Sequence, residues 1–128
     1  AIKALLYLAD HQEEDRSIFS SEIAEQELIP KKFLETILRE LRNFQFVQSK
    51  RGKTGGYKLL KDPKEINLAD LMRAIDGPIA MLPCVSLNYY ANCEECDEKI
   101  CQIKPVFEGV RDQTLKILNS TSIDSMRQ

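Results

Sequence analysis

One histidine is all that these 128 residues contain, and no cysteine lies outside residues 84–101. With one histidine and no nucleophile paired with a plausible base, an enzyme is the least favoured class. A nucleotide-binding loop is missing too. Gly52-Lys53-Thr54 looks like the end of one, but that motif needs a glycine five residues before Gly52, where the chain has Val47. A protein that is not an enzyme and takes no small-molecule substrate is expected. No run approaches the roughly 18 apolar residues of a membrane span, and no basic-then-apolar leader opens the chain. A cytoplasmic protein away from membranes is therefore expected. The chain does not begin with Met, and AIKALLYLAD reads as the inside of a helix, so residues ahead of it are expected to be missing.

What is present is organised around residues 29–60. Phe33, Leu34, Ile37, Leu38 and Leu41 recur at the helical period and predict one apolar stripe. Lys32, Glu35, Thr36 and Arg39 share the other face. Residues 46–49 and 57–60 are strand-like. RGKTGG between them reads as a tight turn, with Gly52, Gly55 and Gly56 supplying backbone freedom. Upstream, Ser20 or Ser21 can cap a short helix with Glu22 and Glu25 in its early turns and Ile23, Ala24 and Leu28 facing inward. Pro30 fits the first turn of the next helix. Helix, turn, helix and hairpin predict a mainly α fold with a small β wing, a winged helix-turn-helix.

Charge points the same way. Residues 31–61 hold nine basic and two acidic side chains, a balance of +7 in a chain of net charge −2, leaving −9 elsewhere. A segregated cationic patch suits a phosphate backbone, because counterion release drives that binding. A solvated charged face is the alternative; the agreement of helix, hairpin and charge favours double-stranded DNA. In such a motif the second helix enters the major groove. Lys32, Glu35, Thr36 and Arg39 are then the groove-facing side chains. Glu35 can accept from a cytosine amine, Arg39 can reach a guanine or a phosphate, and Lys31 can hold a phosphate. A surface pair between Glu35 and Arg39 competes with that role. Arg51 and Lys53 at the hairpin tip, beside Lys50, are candidates for the minor groove.

Elsewhere, Ile2, Leu5, Leu6, Leu8 and Ala9 predict a first helix. His11 is expected to be exposed at its polar end, with metal ligation as the lesser reading. Asn67 is placed to cap a fourth helix with Leu68, Leu71, Met72 and Ile75 inward, ended by Gly77-Pro78. A last long helix is predicted from near Gln102, with Pro105 in its first turn. Ile103, Phe107, Val110, Thr114 and Ile117 form a heptad-like seam on it, which implies another helix, favoured as the same helix of a second protomer in a homodimer. Residues 119–128 are polar and expected to fray.

Cys84, Cys93, Cys96 and Cys101 follow the spacing C-x8-C-x2-C-x4-C. In a reducing compartment thiols so crowded are better explained as soft-metal ligands than as disulfides. Zinc would use all four in a closed tetrahedral site. An iron–sulfur cluster would use three or four and add redox or gas sensitivity. Spacing leaves both open, beside a redox dithiol pair or cysteines that ligate nothing.

The chain resembles the Rrf-two family of bacterial winged-helix transcription regulators, which includes the iron–sulfur cluster regulator and the nitric-oxide-sensing repressor. The resemblance is carried by AIKALLYLA, SSEIAEQELIPKKFLETILRELRNFQFV, SKRGKTGGYKLLKDPKEINLADLMRAIDGP and CQIKPVFEGVRDQTLKILNSTSI, most specifically by RG-x-x-GGY-x-L. It implies a winged helix-turn-helix whose long C-terminal helix forms a homodimer, with Glu35 in the groove-reading helix and Arg51 at the minor groove. It also implies a 2Fe-2S or 4Fe-4S cluster, a group that purification can strip, on Cys84, Cys93 and Cys101. Cys96 is an addition to that triad. Lys104 stands where some relatives have a histidine ligand, so the fourth ligand is Cys96 or comes from elsewhere. With the resemblance, iron–sulfur is favoured over zinc. The expected layout is a DNA-binding domain over 1–78, a cysteine-rich sensor loop over 79–101, and a dimerisation helix with its tail over 102–128. The competing function is a zinc-stapled or cluster-free winged-helix regulator or protein-interaction module.

Overall fold

Small and branched apolar side chains at helical spacing build the first element. In α1 (Ile2–Asp10), Ala4, Leu5, Leu8 and Ala9 are buried, whereas Ile2 is exposed. His11 ends this helix half-buried rather than exposed. Its ring stacks on Tyr7 at 4.2 Å, and its Nδ1 lies 2.8 Å from the Tyr7 carbonyl oxygen. A 3-10 turn (Gln12–Glu14) leads to α2 (Ser20–Gln26). The computed structural model describes residues 1–94, 97 and 99–127; Glu95, Cys96, Glu98 and Gln128 lie outside the described residues.

A polar tie joins α1 to α2. The Tyr7 hydroxyl donates to Glu22 Oε1 at 2.8 Å, and Arg16 donates to both Glu22 oxygens at 2.8 and 2.9 Å. The guanidinium holds the Glu22 carboxyl down at about 2. Burial, and then the bond to Glu22, push the Tyr7 hydroxyl up to about 12. Neither serine caps α2. Phe19 occupies the cap position, and Ser20, already inside the helix, donates to Glu35 Oε1 at 3.4 Å. Leu28 is 90% exposed, with φ of +54°, so it forms part of the turn rather than the core.

Pro30 stands at the N-cap of α3 (Lys31–Asn43), one residue earlier than expected. Its missing N–H costs nothing there. Leu34, Leu38 and Leu41 are fully buried. Phe33, expected in the same stripe, is 62% exposed. The wing pairs β1 (Val47–Lys50) with β2 (Gly56–Leu59) in the antiparallel register Val47↔Leu59 to Lys50↔Gly56. Ile18 adds a one-residue third strand: its N–H donates to the Tyr57 carbonyl at 2.9 Å and its carbonyl accepts from the Tyr57 N–H at 2.7 Å. That pairing explains the glycine before Tyr57. Gly56 has φ of +119°, and a Cβ there would sit 2.5 Å from the Ile18 carbonyl group.

The chain divides into two compact units, one of residues 1–67 with 121–128, the other of residues 68–120. Residues 121–127 do not fray. Ile123 is fully buried, its N–H donates to the Ile66 carbonyl at 2.9 Å, and Arg127 pairs with Asp10 and Asp124. The strand leaving the first unit and the strand returning to it are thus held side by side, with Asn67 bridged to Ser122.

In the second unit α4 (Leu68–Asp76) begins directly after Asn67 and buries Ala69 and Leu71. It packs against α5 (Lys104–Asn119), as does the 3-10 turn Pro83–Val85. Arg111 ties this turn to α5 by donating to the Val85 carbonyl at 2.9 Å. α5 is two-faced. Leu115 is buried, and Phe107, Thr114 and Leu118 are half-buried, whereas Val106, Val110 and Ile117, with Ile103 just ahead of the helix, are exposed. Among the described residues no helix is long and apolar enough to cross a membrane.

Candidate nucleic-acid interface

The buried leucines of α3 decide what its other face offers. At about 100° per residue, Lys32, Thr36 and Arg39 point away from Leu34, Leu38 and Leu41, and all three are exposed, as is Lys31. Thr36 spends its hydroxyl proton on its own helix, donating to the Lys32 carbonyl at 3.1 Å, which leaves the oxygen lone pairs outward. Glu35 lies on the flank of this face, half-buried, and its partner is Ser20 rather than Arg39.

The wing is cationic as well. Lys50, Arg51 and Lys53 are exposed around the turn, where Gly52 takes φ of +101°. Arg42 was missed as a site residue, although its place three residues after Arg39 could have found it. It is exposed, and its guanidinium lies 3.5 Å from the Ser49 hydroxyl on β1. A cleft of about 330 Å³ runs between helix and wing, lined by Ser20, Arg42, Ser49, Lys50 and Arg51. Lys58 is excluded from this free set by its ion pair with Asp15 at 2.8 Å, which holds that carboxyl below its usual range. Among the described residues, Lys31, Lys32, Arg39, Arg42, Lys50, Arg51 and Lys53 have no carboxylate partner. Exposed cations without a carboxylate partner are what a polyanion can use, since no internal ion pair must first be broken.

The cysteines are arranged differently. Cys84 lies in the 3-10 turn against α5, and Cys84, Cys93 and Cys101 are each half-buried. Cys96 falls outside the described residues. Among the described residues, no three His, Cys, Asp or Glu side chains gather where they could hold one metal ion. The donor set is thiolate-rich and chemically suited to a soft metal.

The fold and its exposed cationic helix and wing define a winged helix-turn-helix DNA-binding protein of the transcription-regulator class. Over residues 1–128 the chain matches the family described as Rrf2, iron-dependent transcriptional regulator, and it belongs to that family. It is 44% identical to an Rrf2-like HTH-type transcriptional regulator of Rhodobacter capsulatus, over 98% of this chain and 86% of the relative. Among solved structures it resembles CymR, the global cysteine regulator of B. subtilis, with TM-score 0.77 and 25% identity over 97% of this chain and 87% of that one. It also resembles IscR of T. potens, with TM-score 0.76 and 26% identity over 98% and 78%.

Proposed function

We propose that this protein is a cytoplasmic, homodimeric regulator that reads an operator with α3 and its wing and takes its signal through the cysteine segment. The observation that carries the reading is the exposed face of Lys32, Thr36 and Arg39 on α3, together with Arg42, Lys50 and Arg51, which line one cleft. On this reading Lys32, Glu35, Thr36 and Arg39 face the major groove. Lys31, Arg42 and Lys50 hold phosphates, and Arg51 and Lys53 reach the minor groove. The exposed stripe of Ile103, Val106, Val110 and Ile117 is the seam for the second protomer.

Cys84, Cys93 and Cys101, with Cys96 as the fourth thiol, would hold an iron–sulfur cluster, which when bound supplies sensitivity to redox state or nitric oxide. Zinc on the same thiols is the alternative. The cysteine segment is joined covalently to the DNA-reading unit at residues 67–68 and 120–121, so a rearrangement within 79–101 has two chain crossings through which to act.

Titration of duplex DNA at several salt concentrations tests the reading. Tight binding that weakens steeply with salt is expected, and Lys32→Ala should lower the salt slope by about one unit. Absence of binding at low salt would favour a protein-interaction module. Iron and sulfide assays on protein purified without oxygen separate the two metals; colourless protein with one zinc per chain would remove the cluster.

A further inference from the structure

Phe33 has the wrong address for a core residue. Leu34, Leu38 and Leu41 close the core side of α3 completely, and Phe33, in the first turn of the helix, stays 62% exposed. Around the helix it stands about 60° from Thr36, about 80° from Leu41 and about 100° from Lys32, so it lies on the flank between the polar face and the buried one. Its surroundings in sequence are Lys31 and Lys32, both exposed and, among the described residues, without carboxylate partners. Apolar surface left in water is unfavourable, and an exposed ring in the first turn of a helix whose Lys32 and Arg39 are also exposed is suited to a polyanion that also presents apolar groups.

The major groove of DNA is such a surface. Its base edges carry hydrogen-bond donors and acceptors, which a phenyl ring cannot read, and one apolar group, the C5 methyl of thymine. In a helix-turn-helix the N-terminal residues of the second helix are the ones that meet base edges. Resting on the DNA-binding reading above, we infer that Phe33 is a specificity-determining residue that packs on a thymine methyl, so that the operator is read partly by an apolar contact beside the polar ones of Lys32 and Thr36.

The test uses the full chain and duplexes enriched from a randomised pool. Deoxyuridine then replaces thymidine one position at a time, which removes the methyl group and leaves the hydrogen-bonding edge unchanged. At one or two positions per half-site the unaltered chain should bind about four-fold more weakly, the factor for one buried methyl-sized group. Phe33→Ala should weaken binding to the thymine duplex by a similar factor and erase the thymine–uracil difference. Phe33→Leu should keep part of that difference. The salt slope should not change in either variant, since no charge is removed, and matched thermal melts confirm folding. Uracil tolerated at every position, or a difference that persists in Phe33→Ala, overturns the inference. So does a change of oligomeric state in Phe33→Ala with the difference intact, which would assign the ring to a contact between protein copies. Enrichment of no duplex at all would overturn the DNA-binding reading itself, and this inference with it.

Discussion

Gly56→Ala should loosen the wing by a predictable amount. The new Cβ would lie 2.5 Å from the carbonyl carbon and oxygen of Ile18 and 2.8 Å from the Phe19 nitrogen, all backbone atoms that cannot swing aside as a side-chain tip can. The backbone at φ of +119° is also one that an L-residue adopts only at a cost of about 1–3 kcal/mol. If Ile18 is pushed off, the two bonds it exchanges with Tyr57 are weakened, at about 1 kcal/mol each. A total near 3 kcal/mol is expected, roughly 10 °C in the melting of the first unit at this chain size. Gly52→Ala is the internal control. Gly52 also has a left-handed backbone, at φ of +101°, but nothing lies within 4 Å of its Cβ position. It should therefore cost only the conformational strain, about 1–2 kcal/mol. Urea denaturation of both variants decides it. Equal losses, or a Gly56→Ala protein as stable as the parent, would refute the claim that close approach of Ile18 requires this glycine.

Acid should release the α1–α2 tie. Glu22, depressed to about 2 by the Arg16 guanidinium, stabilises the fold fully above the unfolded carboxylate value of about 4.3 and loses that contribution as pH falls towards 2. Because the side chain is 31% exposed, solvent screening keeps this near 1 kcal/mol, and Glu22→Gln should remove that share of the pH dependence of urea midpoints. Ile123→Ala should cost about 2–4 kcal/mol, because the side chain is fully buried in the first unit; a loss under 0.5 kcal/mol would mean the returning segment is not docked. Val110→Glu and Ile117→Glu should turn a dimer into monomers in analytical ultracentrifugation with little change in each chain's melting, since both side chains are exposed on α5.

The winged-helix half was more legible than the rest, for physical reasons. Helix α3 combines a clean 3.6-residue period with neighbouring turn glycines, and such local patterns survive folding. Other residues departed from the reading for reasons that a local pattern does not carry. Ser20 is an apt cap by type, but it lies inside the helix, where its hydroxyl meets Glu35. Phe33 satisfies the apolar period yet lies just beyond the arc the core can cover. The polar tail conceals one apolar anchor, Ile123, which packs in the first unit more than fifty residues after the chain left it. On α5 the heptad seam is split: Ile103, Val110 and Ile117 are exposed, Phe107 and Thr114 are half-buried, and Leu115, off that seam, is the residue buried. Cysteine spacing identified a candidate ligand set without fixing where the thiols meet, because a loop with no regular period leaves their geometry unstated.

Hydroxyl-radical footprinting of the full chain on an enriched duplex tests the central claim most directly. Two protected tracts on one face of the duplex, with centres about one helical turn or a whole multiple of it apart, are predicted for a paired winged-helix reader, and Arg39→Ala should fade both tracts together. A single protected tract, or a footprint that Arg39→Ala and Lys32→Ala leave unchanged, would contradict it.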